Sequence, residues 1–222
     1  MIPLSVALVW ELIGRTAVVS LSATAIAMAI GIPAGTALGM LRFRGQRPVA
    51  AVVNTGMALP TVVVGLVVAL VLFRNGPLGS LDLIYTVRGM ILAQVFIAAP
   101  LIAGITMAAI QALPEELPDQ LRALGANRRQ LVVRLWLEAR LPLLAAVMAG
   151  FGHAVSEVGA ATMVGGNIHG QTQVLTTAIV EDVGKGDFTP ALAYGAVLLA
   201  LAFAVNAVLT SVQQRGAAWV QS

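Results

Sequence analysis

The sequence predicts an all-α polytopic membrane protein, with five transmembrane helices and a charged cytoplasmic helix between the third and the fourth. Three observations carry this. Of 222 residues, 59% are hydrophobic and only 10% are charged, against about 25% charged in ordinary soluble domains. Mean hydropathy is +0.91. The apolar residues gather into five stretches, and the arginines cluster between them in alternate connections.

A hydrocarbon core of about 30 Å takes roughly 20 residues of helix. Thr16–Leu41, Val49–Phe73, Val87–Leu113, Leu141–Val164 and Pro190–Val212 meet that length, so the whole chain, 1–222, reads as a single membrane domain. The stretch Pro3–Gly14 is apolar but short, punctuated by Glu11 and Arg15. It reads as an interfacial lead-in helix or as a slanted extension of the first span. The opening "MIPLSVALVWELIGRT" lacks a basic n-region and a small-residue cleavage site, so no cleaved signal peptide is expected.

Gly31-Ile32-Pro33, Pro60 and Pro100 interrupt the first three spans. Such breakers survive in a bilayer where neighbouring helices or water satisfy the freed backbone groups. They are either packing kinks or the lining of a polar pathway. Gly31, Gly35 and Gly39 form a small-xxx-small series that allows two helix backbones to approach closely.

Orientation follows from the arginines. Arg42, Arg44 and Arg47 join spans one and two, Arg122, Arg128, Arg129, Arg134 and Arg140 join spans three and four, and Arg215 follows span five. By the positive-inside rule these segments are cytoplasmic. The other side holds Arg74, Arg88 and Lys185 against Asp82, Glu181, Asp182 and Asp187. The N-terminus is then extracytoplasmic and the C-terminus cytoplasmic. A net charge of +3 is small for a nucleic-acid binder, and zero cysteines exclude disulfides and thiolate metal sites.

Enzymatic motifs are missing. There is no Gly-x-Ser-x-Gly elbow or His-Glu-x-x-His helix, and Gly184-Lys185 lacks the rest of a phosphate loop. The chain is not expected to bind ATP. The intramembrane cluster "GHAVSEVGAA" places His153 and Glu157 four residues apart, so they share one helix face, with Ser156 beside them. An ionisable residue inside a span is a functional hypothesis by default. The two form a structural pair, with His153 donating to Glu157, or line a path or gate; Ser156 and His153 on one helix are poorly placed for nucleophilic catalysis.

The extracytoplasmic stretch Val164–Phe188 contains Gly165, Gly166, Asn167, Gln171 and several threonines. These neutral donors suit an oxyanion without trapping it by charge. An ordinary polar loop would read the same way.

The charged segment "ELPDQLRALGANRRQLVVRLWLEARLP" reads as a short helix started by Pro118-Asp119 and stopped at Gly125 in a left-handed conformation. Asn127-Arg128-Arg129 makes a polar turn, and an amphipathic helix follows into span four. Leu121, Ala123 and Leu124 are available to dock in a groove of another protein; a solvated loop with incidental helicity is the alternative.

These residues resemble a family. "DQLRALGA" is similar to the EAA loop of type I ATP-binding-cassette importers, with Gly125 at the family's glycine. Asp119 stands in place of glutamate, and Gln120 and Leu121 replace two alanines. Leu141-Pro142 comes about one helical turn later than the common spacing. "SEVGAATMVGGNIHGQTQVLTTAIVEDVGKGDF" resembles the molybdate/tungstate/sulfate permeases, the tungstate branch in particular.

The resemblance, from about Ser22 onward, implies a type I importer transmembrane domain in the cell membrane and a homodimer enclosing the path. It also implies two copies of a cytoplasmic ATPase that bind ATP and Mg²⁺, and an extracytoplasmic oxyanion-binding protein. The chain itself would carry no cofactor, no metal and no catalytic residue. Loop 114–140 would couple it to the ATPase through Asp119, Leu121, Ala123, Leu124 and Gly125. His153, Glu157, Gly165, Gly166 and Asn167 are the candidate pathway or gate. Tungstate is the expected substrate, with molybdate and sulfate as alternatives. A secondary carrier would be expected to show paired hydropathy repeats, which the chain does not convincingly offer.

Overall fold

The computed structural model describes residues 6–41 and 44–218, and within them all regular structure is helical. The first residues of the lead-in, Arg42 and both chain ends lie outside the described residues. Ten α-helices follow one another: α1 Val6–Met40, α2 Gln46–Met57, α3 Thr61–Leu72, α4 Val87–Gln111, α5 Leu117–Ala123, α6 Arg128–Glu138, α7 Arg140–Val155, α8 Gly159–Gly165, α9 Leu175–Lys185 and α10 Phe188–Ala218. A 3-10 turn at Gly79–Leu81 lies between α3 and α4. Three helices, α1, α4 and α10, are long and apolar enough to cross a membrane alone. Counting each of two bent pairs, α2–α3 and α7–α8, as one span raises this to five.

The separate lead-in helix is replaced by one continuous α1 from Val6. At 1.5 Å per residue this helix is roughly 50 Å long, more than a bilayer core needs unless it tilts or protrudes. Its threonines donate within the helix: the hydroxyls of Thr16, Thr24 and Thr36 bond to the carbonyls of Leu12, Ser20 and Ile32, each at 2.7 Å. That satisfies them where no water is available.

α1 lies against α4 along the glycine series. A Cβ on Gly35 would sit 2.3 Å from the Ala103 carbonyl oxygen, and one on Gly39 2.9 Å from Ile110 Cβ. Only hydrogen fits at this contact. Further along the pair, buried Ala27, Ala98, Ile102 and Ala146 bring in α7.

Of the three expected proline interruptions, one breaks a helix. α1 and α4 run through Pro33 and Pro100. At Pro60 the chain turns by 103° between α2 and α3. Proline lacks the N–H that would continue the ladder, and the Pro60 carbonyl instead begins α3 by accepting the N–H groups of Val63 and Val64. Packing differs at Pro100, whose ring fills the space beside Gly56.

The fourth apolar stretch also departs from a straight helix. α7 ends at Val155, and α8 leaves at 57°. The Ser156 hydroxyl folds back onto the carbonyls of Gly152 and His153, at 2.8 and 3.2 Å, a backbone competition typical of serine at helix ends. α8 then packs on α3 so closely that a Cβ on Gly65 would lie 2.5 Å from Ala160 Cα.

Candidate functional site

The segment between α4 and α7 is built from local signals. Pro118 lies in the first turn of α5, and Asp119 follows it near the positive end of the helix dipole. Asp119 also pairs with Arg122 at 2.7 Å, both exposed. α5 closes with the paired bonds of a Schellman stop: Gly125 N–H to Arg122 C=O at 2.9 Å, and Ala126 N–H to Leu121 C=O at 3.0 Å. Gly125 has φ +85°, the conformation that glycine adopts without strain.

Asn127 then starts α6 with a reciprocal cap. Its side chain accepts the Gln130 N–H at 3.0 Å, and the Gln130 side chain accepts the Asn127 N–H at 2.9 Å.

The two faces of α5 differ. Leu117 and Leu121 pack against a buried cluster that includes Ile110 of α4 and Leu131 and Leu135 of α6. Leu121 is therefore turned toward its own chain. Ala123 and Leu124 are exposed, Leu124 at 84%. A cavity of about 1060 Å³ opens along another part of α5, with Arg44, Gln46, Pro118, Asp119 and Arg122 in its wall.

The α7–α8 break separates His153 from Glu157. His153 sits in the last turn of α7, and among the described residues no hydrogen bond joins the two, which corrects the expected pairing. A common face requires helix between them, and the helix stops first. Glu157 is 6% exposed. Its Oε1 accepts the Ala160 N–H at 2.8 Å, and its backbone carbonyl accepts the Thr176 hydroxyl at 2.9 Å. One residue thus caps α8 and ties it to α9.

At the far end of α8, Gly165 is buried and Gly166 turns the chain at φ +73° against the Tyr85 ring. The Gly165 carbonyl accepts the Thr172 hydroxyl at 2.6 Å. Asn167, at φ +50°, donates its amide to Glu181 Oε2 at 2.7 Å. Gln173 donates to the same oxygen at 2.7 Å, His169 Nε2 meets Oε1 at 2.9 Å, and Lys185 donates to Oε1 as well.

Burial by itself raises the Glu181 pKa, yet the bonds from Lys185, His169 and Asn167 outweigh it and hold the carboxyl at about 2. The neighbouring Asp182 is pushed upward, by burial first, then by the charges of Glu181 and Asp187 against the relief from Lys185. In the sequence Glu181 was legible only as a charge on the side expected to be extracytoplasmic. Its spacing of four from Lys185 was the available signal, whereas the loop partners are brought in by folding. Among the described residues no three His, Asp or Glu side chains converge as metal ligands.

Residues 31–216 match the family described as the binding-protein-dependent transport system inner membrane component, and the chain belongs to that family. It is 42% identical over 195 residues to a probable anion ABC transporter permease of Haloferax volcanii, covering 86% of this chain and 84% of the relative. It is 41% identical over 206 residues to the tungstate uptake system permease TupB of Peptoclostridium acidaminophilum, covering 93% and 90%. A sulfate transport permease, CysW of a Synechocystis species, is 30% identical over 207 residues, covering 90% of this chain and 75% of the relative. In fold, the chain superposes on an inward-facing MetNI methionine ABC transporter with TM-score 0.78 at 20% identity, covering 96% and 99%. The fold is that of a type I ABC importer membrane domain.

Proposed function

We propose that this chain is the permease subunit of an ATP-driven importer for a tetrahedral oxyanion, tungstate. The observation that carries the reading is the 41% identity, over 93% of the chain, to a tungstate uptake permease. The sulfate relative, at 30%, is more distant. In this reading each bent pair counts as one span, giving five, with the N-terminus extracytoplasmic and the C-terminus cytoplasmic.

Two copies enclose the path, because five spans can hardly surround a hydrated route alone, whereas two copies can line one between them. α5 and the Gly125 stop face the cytoplasm and dock on a partner ATPase, of which two copies bind ATP and Mg²⁺. An oxyanion-binding protein delivers substrate to the other side. The Glu157 cap and the Gly165–Asn167 turn lie along or beside the path. Asn167 serves there by holding the loop, since its amide is committed to Glu181.

The test is reconstitution of the chain in proteoliposomes with its ATPase and binding protein. Tungstate-loaded binding protein is expected to stimulate hydrolysis and uptake, with sulfate and molybdate weaker at equal concentration. Tags at Gly45 and Gly79 should report opposite sides. Uptake without ATPase or ATP would overturn the reading in favour of a secondary carrier, and stronger stimulation by sulfate would overturn the substrate.

A further inference from the structure

α6 reaches α1 through one side chain. Trp136 donates its indole N–H to the Thr36 hydroxyl at 2.8 Å, across 100 positions of sequence. Thr36 is buried and passes its own hydrogen to the Ile32 carbonyl at 2.7 Å. The three groups form a directed series, indole to hydroxyl to backbone, in which Thr36 both accepts and donates.

The series ends at a weak turn of α1. Pro33 is the next residue, and its missing N–H leaves one carbonyl of the preceding turn without its helical partner. A largely apolar cavity of about 480 Å³ lies against this turn, with Pro33, Thr36, Arg122, Arg128 and Trp136 in its wall. The end of α5, the start of α6 and the Pro33 turn therefore surround one space. From the Asn127 cap to Trp136, α6 is an unbroken rod of roughly 13 Å at 1.5 Å per residue.

We infer that Trp136 is a positioning residue for energy coupling: it transmits displacement of the Asp119–Gly125 segment along α6 to the Pro33 turn of α1 through its bond to Thr36. The inference rests on the coupling role assigned to α5 under Proposed function. Leu117 and Leu121 pack against the cluster that includes Leu131 and Leu135, but such apolar contacts are non-directional. The indole–hydroxyl bond fixes both distance and angle. A rod that ends on a proline-weakened turn moves that turn more readily than an intact one.

The experiment uses the whole transporter in proteoliposomes. Trp136→Phe keeps an aromatic side chain, smaller than indole, and removes the N–H; Thr36→Val removes the hydroxyl at nearly constant shape. Both variants should co-purify with the ATPase at normal yield and keep basal hydrolysis within about twofold. Stimulation by tungstate-loaded binding protein and uptake should each fall about fivefold or more, raising the ATP used per anion. The double variant should be no worse than Thr36→Val alone, because that change already removes the indole–hydroxyl bond along with the local bond to Ile32. Thr36→Ser, which retains the hydroxyl, should recover most of the loss.

Full stimulation in Trp136→Phe would overturn the proposal, as would multiplying losses in the double variant. Should Trp136→Phe fail to assemble, the Thr36→Val and Thr36→Ser pair decides by the same readout. Failure of the unmodified chain to bind any ATPase would instead sink the coupling reading beneath it, so the two failures are distinguishable.

Discussion

Glu157 and Ala160 close a capped turn inside the fourth apolar stretch: Oε1 of the glutamate accepts the Ala160 N–H at 2.8 Å, with the carboxylate buried. The bond needs an acceptor at that position and uses no charge that glutamine could not replace. Glu157→Gln is therefore expected to retain most uptake and nearly all stability. Glu157→Ala should lose about 1 kcal/mol, the usual cost of removing a helix cap. Unfolding in detergent and uptake at matched membrane levels check both. Abolished uptake in Glu157→Gln would mean that the charge itself is used.

Gly35 and Ala103 set a second prediction. A methyl group on Gly35 would lie 2.3 Å from the Ala103 carbonyl, so Gly35→Ala must push α1 away from α4. A loss of about 1–3 kcal/mol is expected, the range for overpacking. Gly14→Ala, where a methyl group meets nothing within 4 Å, serves as the control and should be neutral or slightly stabilising. Equal unfolding midpoints for the two variants would refute the close contact.

Acid should loosen the loop that Glu181 organises. Its folded pKa, about 2, lies below the ordinary 4.5. A depressed pKa gives stability that is complete above the unfolded value and lost as pH falls from 4.5 toward 2. Lys185 is raised by its bond to Glu181, so its own share is lost only under alkaline conditions. The melting difference between wild type and Glu181→Gln should be constant near neutrality and shrink below about pH 4.5. A difference independent of pH would show that the carboxylate contributes shape alone.

The exposed tip of α5 makes the fourth prediction. Ala123→Glu places a charge where an apolar contact is proposed, and burying it unpaired is costly. Gly125→Val strains a residue at φ +85°. Both should insert and dimerise normally yet lose ATPase co-purification, while Arg128→Ala does less. Full ATPase binding and uptake in Ala123→Glu would return this segment to the status of a plain loop.

The α5 stop was readable because glycine after "LRAL" has one conventional use. The small-residue series was readable for the same reason, since spacing alone puts Gly31, Gly35 and Gly39 on one face. The three prolines were not separable. Pro33, Pro60 and Pro100 obey one local rule, and only Pro60 lies where the chain turns away. The His153–Glu157 pair failed because its spacing argument presumed a helix that Ser156 ends. Glu181 escaped notice as a hub because Asn167, His169 and Gln173 reach it only after the loop has folded. Trp136 and Thr36 are separated by 100 positions, and no periodicity links residues at that distance.

α10 packs on its own chain along one side, through Tyr194, Val197, Leu198 and Leu201, yet only 6% of its most apolar stretch is fully buried. A side chain that meets fluid hydrocarbon is selected for greasiness and for little else, since lipid tails accept any apolar shape. Wherever lipid covers them, the exposed Leu192, Leu199, Phe203 and Val208 can be exchanged for one another at little cost, which the glycine-lined α1–α4 seam does not allow. Any position on this helix that resists such drift betrays a neighbour made of protein rather than lipid, so the pattern of substitution among relatives would draw the outline of any protein partner on α10.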